Sequence, residues 1–456
     1  MPRKFSLRSQ FEAEGVFWPA GSRNQSFAGR LVASAKGIEL SAAKITGPET
    51  FFAHQEPASP GVMHGRTILG DCTLIDVHAI NGPQQLDGAT SEVLSIRRFR
   101  VSLCIVGMHL DDPAAPLRGS VECTYSGLSN WLRPTSRVTP TEEGISLNYS
   151  LKSRTLVDFC VRANKTRIAL SVGSDVHLRA WHHTAVNRPR IKIEPVELAS
   201  IERLYDDASR LEDFLSLFLG VSVRLLTVRF SSSDNREGWF VRPQRGRIDK
   251  YDLEASFGSE SSQLAAAITA WFSATENLRP LQNFVYGTVR DTSMFVETEF
   301  LSLAQALESF HRLTDSASLV DSSTFEGIRT KINEVIEAVC HFPALVTKLE
   351  ESVQFANEPG FRNRINGLLG RLKPEHVQIL LGDPIEFEQT LRQTRNFLTH
   401  LGIRGQTKVL RSAGDFFLFN QKLHALLRFL MLMNVGFSED AVFKAIRYQS
   451  TRWTLL

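Results

Sequence analysis

The chain has 456 residues, of which 43% are hydrophobic and 22% charged, and its formal net charge is +3. These values are typical of globular proteins and exclude a disordered, collagenous or coiled-coil chain, and the length predicts roughly three domains. No run reaches the roughly 18 uncharged apolar residues that a membrane-spanning helix needs. Residues 1–15 are basic but lack the apolar stretch of a signal peptide. We therefore expect a cytoplasmic protein that has no membrane partner.

Short apolar runs alternate with clusters of Gly, Pro, Asn and Ser across roughly the first 230 residues, a pattern typical of strands joined by turns. Clear examples are residues 29–40, 67–78 and 97–107. A cluster of Pro, Gly, Ser and Thr near residue 140 indicates a boundary within this region. We therefore predict an N-terminal β domain over residues 1–140 and a second β-rich subdomain, with a helix, over residues 141–260.

The helix of the second subdomain is predicted at residues 197–219, where apolar residues recur at helical spacing and Gly220 supplies a C-terminal cap. Residues 231–247 are polar and basic, which predicts an exposed loop or hairpin. Within them Trp239 stands among arginines, a combination also found in proteins that bind single-stranded nucleic acids. The exposed hairpin and the nucleic-acid contact are both open interpretations of this segment.

From about residue 264 onward the apolar spacing becomes helical, and prolines and glycines separate the segments. Helices are predicted at residues 263–278, 297–313, 325–340, 344–355, 361–372, 375–381, 385–400, 413–433 and 438–448. In the third of these, one stripe is formed by Ile328, Ile332, Val335 and Val339. The predicted fold class is α+β, with a β-rich N-terminal region followed by an all-α domain over residues 261–456.

Basic residues are concentrated near the end of the chain. From Arg392 onward, ten Lys and Arg stand against three acidic residues, a net charge of +7. A basic segment of this kind is typical of proteins that bind a polyanionic partner. The alternative is that these cations only form a solvated helical face.

The cysteine and histidine spacings predict neither a disulfide framework nor a zinc site. No two cysteines have a C-x-x-C spacing, and we expect all five to be reduced and mostly buried: Cys72, Cys104, Cys123, Cys160 and Cys340. No Cys or carboxylate completes a zinc set with His177, His182 and His183, which we interpret as polar strand or loop residues. The chain has no P-loop, G-x-G-x-x-G or G-x-S-x-G motif. We expect no metal and no cofactor.

The sharpest local feature is the segment RNFLTH, residues 395–400, at the end of a predicted helix. Histidine, here His400, is the side chain best suited to transfer protons near neutral pH. Arginine, here Arg395, holds phosphate through two hydrogen bonds and offsets charge in a transition state, and Asn396 is placed to orient either partner. Because RNA carries its own 2′-hydroxyl nucleophile, such a set needs no metal. The alternative is a helix end capped by His400, with Arg395 paired to a nearby acid.

RNFLTH resembles the R-x4-6-H signature of the HEPN superfamily, whose active members are metal-independent ribonucleases. The helical segments EFLSLAQALESFHR (299–312) and FRNRINGLL (361–369) resemble the HEPN domain of ApeA-like phage-defence proteins. In the N-terminal half, FEAEGVFWPA (11–20), GRTILGDCTLIDV (65–77) and YSGLSNWL (125–132) resemble the β domain of the same proteins. The resemblance therefore touches both halves of the chain.

This resemblance implies that Arg395, Asn396 and His400 are catalytic, and that Glu308 lies on a helix packed near them. Glu308 then either orients His400 or receives Arg395, and a plain surface carboxylate is the alternative. The cations around the motif are expected to bind the RNA substrate: Arg392, Arg404, Lys408 and Arg411.

The function implied is a metal-independent endoribonuclease of a prokaryotic abortive-infection system, in which the β-rich half senses a phage-derived trigger or controls access. The alternative is a non-catalytic HEPN module that binds RNA or protein. We also expect a homodimer with a shared site, because residues five apart on a helix lie about 140° apart. HEPN relatives commonly pair two such motifs across a two-fold axis.

Overall fold

The computed structural model describes residues 4–46, 61–80, 84–87, 93–132, 136–141, 144–149, 154–161, 165–179, 182–242, 261–290, 294–315, 318–400 and 407–453. The chain divides into two compact units, Met1–Ser273 and Ala274–Leu456. Strands dominate the first unit and helices the second, which confirms the predicted α+β class. Among the described helices, none combines the length and apolar character needed to cross a membrane.

Fifteen strands are formed by the described residues of the first unit. They are β1 Phe11–Pro19, β2 Phe27–Ser34, β3 Gly37–Thr46, β4 Gly61–Thr67, β5 Gly70–Ala79, β6 Gln84–Asp87, β7 Val93–Val106, β8 Gly119–Tyr125, β9 Ser136–Thr141, β10 Gly144–Tyr149, β11 Arg154–Val161, β12 Thr166–Arg179, β13 His182–Pro195, β14 Leu225–Ser232 and β15 Glu237–Val241. Two α-helices accompany the described strands, α1 Leu128–Trp131 and α2 Ile201–Leu219, together with a short 3-10 helix at Arg23–Gln25.

Six antiparallel strands close into a barrel. The order is β7, β3, β2, β1, β4 and β5, and β5 pairs back with β7. Buried side chains from these strands, including Phe17, Leu40 and Leu74, form one core, as expected for a small barrel filled by its inward-facing residues. Gly15 lies where a Cβ atom would come within 2.9 Å of the Thr67 Cα atom. The close approach of β1 to β4 therefore requires a glycine in the segment FEAEGVFWPA.

The sheet continues beyond the barrel through β15, β14, β8, β13, β12 and β11. Strands on both sides of the predicted boundary near residue 140 therefore share one sheet. Helix α2 begins after Ser200, whose side chain accepts a hydrogen bond from the Arg203 N–H, and ends at Gly220, where φ is 67°. It starts four residues later than predicted because Ala199 forms a β-bridge with Leu117.

The polar segment around Trp239 forms the hairpin of β14 and β15. The ring of Trp239 packs against the barrel core, and the Arg229 Cζ atom lies 5.8 Å from the centre of that ring. Trp239 is thus a half-buried strand residue, and residues 243–247 of the predicted loop lie outside the described part of the chain.

The remaining candidates for metal or redox chemistry lie on strands and loops. His177 lies on β12, and His182 and His183 lie on the paired strand β13, which agrees with their interpretation as strand residues. All five cysteines are free, and the first three along the chain are buried. No three His, Cys, Asp or Glu side chains come together as a metal-binding group in the part of the chain that the structure describes.

The second unit is helical. Helix α3, Ser261–Arg290, spans the boundary between the units, and it is followed by α4 Val296–Thr314, α5 Ser322–Val339, α6 Pro343–Gln354, α7 Phe361–Leu369, α8 Pro374–Leu381, α9 Pro384–His400, α10 Ala413–Asn434 and α11 Glu439–Trp453. Each of the nine predicted helices corresponds to one of these.

Aromatic side chains hold together the helices that carry the candidate site. Phe300 of α4 contacts Phe416 and Phe419 of α10, with ring centres 5.6 and 5.9 Å apart. Phe419 in turn stacks on Phe387 of α9, with ring centres 5.1 Å apart. Because each buried ring removes a large apolar surface from water, this cluster fixes α4 and α9 against α10.

Candidate active site

Helix α9 carries the RNFLTH segment. It begins where the Asp383 carboxylate accepts a hydrogen bond from the Glu386 N–H at 2.7 Å, an arrangement that caps a helix N-terminus. Phe387, Leu391 and Thr394 are buried against the rest of the unit. The helix runs to His400, so the motif occupies its last two turns, as predicted.

The chain that follows the undescribed residues 401–406 is attached to the same turns of α9. The Lys408 N–H donates to the Gln393 Oε1 atom at 2.9 Å, and the Leu410 N–H donates to the buried Thr394 hydroxyl at 3.1 Å. These bonds fix the end of α9 from outside the helix.

Arg395 is directed towards α4. Its Nη2 atom donates to the Glu308 Oε2 atom at 3.4 Å, and its Nη1 atom donates to the Asn396 side-chain oxygen at 3.5 Å. The ring of Phe361, the first residue of α7, lies against the guanidinium, with 5.1 Å between the Arg395 Cζ atom and the ring centre. The Arg395 side chain stays 31% exposed. The guanidinium is thus oriented by three residues and still reaches solvent.

Glu308 joins two arginines. Its Oε1 atom accepts from Arg312 at 3.3 Å, while its Oε2 atom accepts from Arg395. The side chain is only 13% exposed, so the carboxylate lies between two cations in a partly desolvated place. Of the two predicted roles, the structure brings Glu308 to Arg395.

The ion pairs continue from Glu308 to the start of α7. Arg312 reaches Glu358 at 2.9 Å, and the Glu358 carboxylate also receives Arg364 at 2.7 Å. The side chain of Arg364 is 5% exposed. Five alternating charges therefore connect Arg395 of α9 to Arg364 of α7. A buried charge requires such a partner, because an unpaired one is strongly destabilising.

His400 and Asn396 are the accessible members of the motif. His400 is exposed at the end of α9, and Asn396 is half-buried. Within the described residues, no hydrogen bond to the His400 imidazole is formed. A base or acid at this position is therefore open to a substrate, while the structure brings Arg395 and Asn396 together and leaves His400 apart.

The four cations predicted to bind RNA differ in their surroundings. Arg392 is paired with the buried Glu388 at 2.7 Å, and Lys408 is paired with Glu386 at 2.6 Å. Arg411 is exposed, and Arg404 lies outside the described residues. Part of the positive charge seen in the sequence is thus already neutralised by acids of α9.

A buried histidine lies beside the ion-pair chain. His311 of α4 is almost fully buried, and its Nδ1 atom has no hydrogen-bond partner among the described residues. Its Nε2 atom lies 3.5 Å from Asp315. Burial lowers the pKa of His311, and the nearby Arg364 and Arg371 lower it further, against the opposite effect of Asp315. His311 is therefore held in its neutral form.

Sequence reasoning did not find three of the residues that surround Arg395. Phe361 and Glu358 lie more than 30 residues before the motif, and no local pattern links them to it. Arg364 did carry a signal, because it shares the buried face of α7 with Ile365 and Leu368, and a charge on such a face demands a partner.

Two family models match the chain. The family model for ApeA N-terminal domain 1 matches residues 12–254, which is more than half of the chain. The model for Apea-like HEPN matches residues 301–441, which include Glu308, Arg395 and His400. The chain belongs to the ApeA-like family. No curated protein and no solved structure matches it. HEPN domains are generally of the ribonuclease type, and membership of the ApeA-like family indicates an anti-phage defence protein.

The low pKa of His311 predicts an acid-sensitive fold. Its usual pKa is about 6.5 in an unfolded chain, and the folded value is lower. Above pH 6.5 the imidazole is mostly neutral in both states. At lower pH the unfolded chain binds a proton more readily than the folded chain does, so the free energy of unfolding decreases. Urea unfolding at pH 7 and pH 5 should show a smaller loss of stability on acidification for His311→Gln than for wild type. The exposed His341→Gln serves as control and should lose as much as wild type; equal losses in all three proteins would contradict the prediction.

Proposed function

We propose that this protein is a metal-independent endoribonuclease of a prokaryotic abortive-infection system, in which Arg395 and His400 act on a phosphodiester of RNA. The observation that carries the proposal is the oriented, partly exposed guanidinium of Arg395, which Glu308 and Asn396 hold five residues before the exposed imidazole of His400. The family membership of residues 301–441 supports the same chemistry.

The proposed reaction uses the 2′-hydroxyl of the substrate as nucleophile. An imidazole accepts its proton while the 2′-oxygen bonds to the adjacent phosphorus and the bond from phosphorus to the 5′-oxygen breaks. A second proton is delivered to the leaving 5′-oxygen. The products are a 2′,3′-cyclic phosphate, which hydrolyses to a 3′-phosphate, and a 5′-hydroxyl.

Arg395 supplies the positive charge in this scheme. A guanidinium next to the phosphate offsets the charge that builds on its non-bridging oxygens. Only two of its five N–H groups are used by Glu308 and Asn396, so donors remain for the substrate. Glu308 acts as a positioning residue, because it contacts Arg395 and keeps the guanidinium from turning away.

The role proposed for the β-rich half is to sense a phage-derived trigger or to control access to the site. A nuclease directed at RNA of its own cell needs restraint until infection. The described groups of the RNFLTH site, from Glu308 to His400, all belong to the second unit, and the family match of the N-terminal region covers residues 12–254.

The first test concerns catalysis. His400→Ala and Arg395→Ala should each lower the rate of cleavage of a fluorescent RNA by ~10²-fold or more, the usual scale for removing a proton-transfer or charge-stabilising group. Cleavage by the wild type should persist in EDTA. His341→Ala and Arg236→Ala, which change exposed residues in the turn after α5 and in the hairpin of β14 and β15, are controls that should keep the wild-type rate.

Two outcomes would contradict this function. Activity that EDTA abolishes and Mg²⁺ restores would indicate a metal-dependent enzyme. Equal RNA binding by wild type and His400→Ala, with no cleavage by either in the presence of phage lysate, would indicate the alternative of a non-catalytic binding module.

We further propose that the active unit is a homodimer whose two motifs share one site. One chain supplies a single histidine for two proton transfers, and two copies supply a base and an acid. When Arg395→Ala and His400→Ala chains are mixed and allowed to exchange, the mixture should cleave RNA faster than either variant alone. Each variant mixed with itself is the control, and a mixture no faster than these controls would contradict a shared site.

A further inference from the structure

Helices α5 and α6 form a hairpin that keeps its apolar side chains in solvent. Neither helix has a buried residue. Val339 and Phe342 are each 73% exposed, and Val335 is 61% exposed. The exposed large apolar side chains of the hairpin are Ile328, Ile332, Val335, Val339, Phe342, Leu345 and Leu349. Single exposed apolar residues are ordinary, but a group of this size marks an interaction surface.

Hydrogen bonds fix the base of the hairpin, where the chain enters α5 and leaves α6. The Asn357 side chain donates to the Val320 carbonyl and accepts from the Val320 N–H, both at 2.9 Å. The Asn357 carbonyl accepts from the Leu319 N–H at 3.0 Å. The two chain segments that enter and leave the hairpin are thus joined by three hydrogen bonds, next to Glu358 of the ion-pair chain.

The spacing of the exposed residues specifies a helix as the partner. On α5, Ile328, Ile332, Val335 and Val339 follow one another at intervals of four, three and four residues. This is the a/d repeat of a coiled coil, in which each apolar residue inserts between four residues of a facing helix. Among the described residues these four side chains stay 39–73% exposed, so no facing helix of the described chain covers the stripe, whereas Ile336 on another side of α5 is half-buried.

The charge of the hairpin argues against a polyanionic occupant. Between Ser322 and Gln354 there are five glutamates and three Lys or Arg, a net charge of −2. RNA and anionic lipid surfaces attract positive charge, so neither fits this surface.

We propose that the stripe of α5 packs against the same stripe of a second copy of this chain. This inference rests on the homodimer proposed above and assigns its contact surface. A self-complementary surface is what a two-fold dimer requires, and an apolar a/d stripe is self-complementary. Covering the four side chains of the stripe and the adjacent Phe342 in both copies removes on the order of 1,000 Å² from water, close to the roughly 1,200 Å² at the low end of specific interfaces.

The test is the oligomeric state of the full chain, measured by analytical ultracentrifugation over a range of concentrations. Ile332→Glu places a charge in the centre of the stripe and should raise the dimer dissociation constant at least ~100-fold. Thr330→Glu adds the same charge to an exposed position of α5 outside the stripe and should leave the constant unchanged. Val339→Lys, at a position exposed in the single chain, should act like Ile332→Glu without affecting the fold, which thermal unfolding of each variant verifies.

Two results would overturn the inference. One is a wild-type chain that stays monomeric up to about 100 µM, which would mean that another partner or another part of this chain covers the stripe. The other is a dimer that Ile332→Glu and Val339→Lys leave intact, which would place the contact elsewhere. A dimer that fails to cleave RNA would instead count against the proposed nuclease alone. A monomer that cleaves RNA would count against the contact and the shared site, and would leave the nuclease itself standing.

Discussion

The candidate site depends on one carboxylate that accepts two guanidinium groups. Glu308 is acceptor-only when ionised, and each of its oxygens receives one arginine, Arg312 from its own helix and Arg395 from α9. Without Glu308 the two cations would face each other in a partly buried place, and repulsion would turn Arg395 towards solvent. The orientation of Arg395 therefore depends on a residue 87 positions earlier in the chain.

The helical core explains why this pair meets. The rings of Phe300, Phe387 and Phe419 bring α4 and α9 onto α10, and the ion pairs then form at the edge of that packing. On the same face of α10, Asn420 donates to Glu299 at 3.0 Å and His424 contacts it at 2.8 Å. Burial alone would raise the pKa of Glu299, but these hydrogen bonds outweigh it and lower the pKa. Helix α4 is thus held by charge-assisted bonds along much of its length.

The sequence was sufficient for the fold class and for every helix of the second unit, because helical periodicity is a local property. It also identified Arg395, Asn396, His400 and Glu308 as candidates. The closure of the barrel was not predictable, since the pairing of β5 with β7 depends on the packing of all six strands. The contacts of Phe361 with Arg395 and of Glu358 with Arg312 and Arg364 could not be predicted either, because they depend on how distant helices pack.

The stripe of α5 shows what helical periodicity cannot predict, namely whether an apolar face is buried. Its periodicity correctly predicted a helix, and such a stripe usually faces the core of its own domain. In this chain Ile328, Ile332, Val335 and Val339 stay exposed, because the hairpin stands apart from the aromatic core. Periodicity therefore gives the helix and its apolar face, while the partner of that face is a matter of tertiary structure.

The central claim is that the substrate supplies the nucleophile while Arg395 and His400 supply charge and proton transfer. The most direct test uses an RNA that the wild-type protein cleaves at a mapped position and replaces the 2′-hydroxyl at that position with hydrogen. The account predicts that cleavage at this bond stops while cleavage at neighbouring sites and RNA binding continue, and that the unmodified RNA yields a 2′,3′-cyclic phosphate and a 5′-hydroxyl. Cleavage of the 2′-deoxy bond at the original rate, with a 3′-hydroxyl and a 5′-phosphate as products, would contradict it.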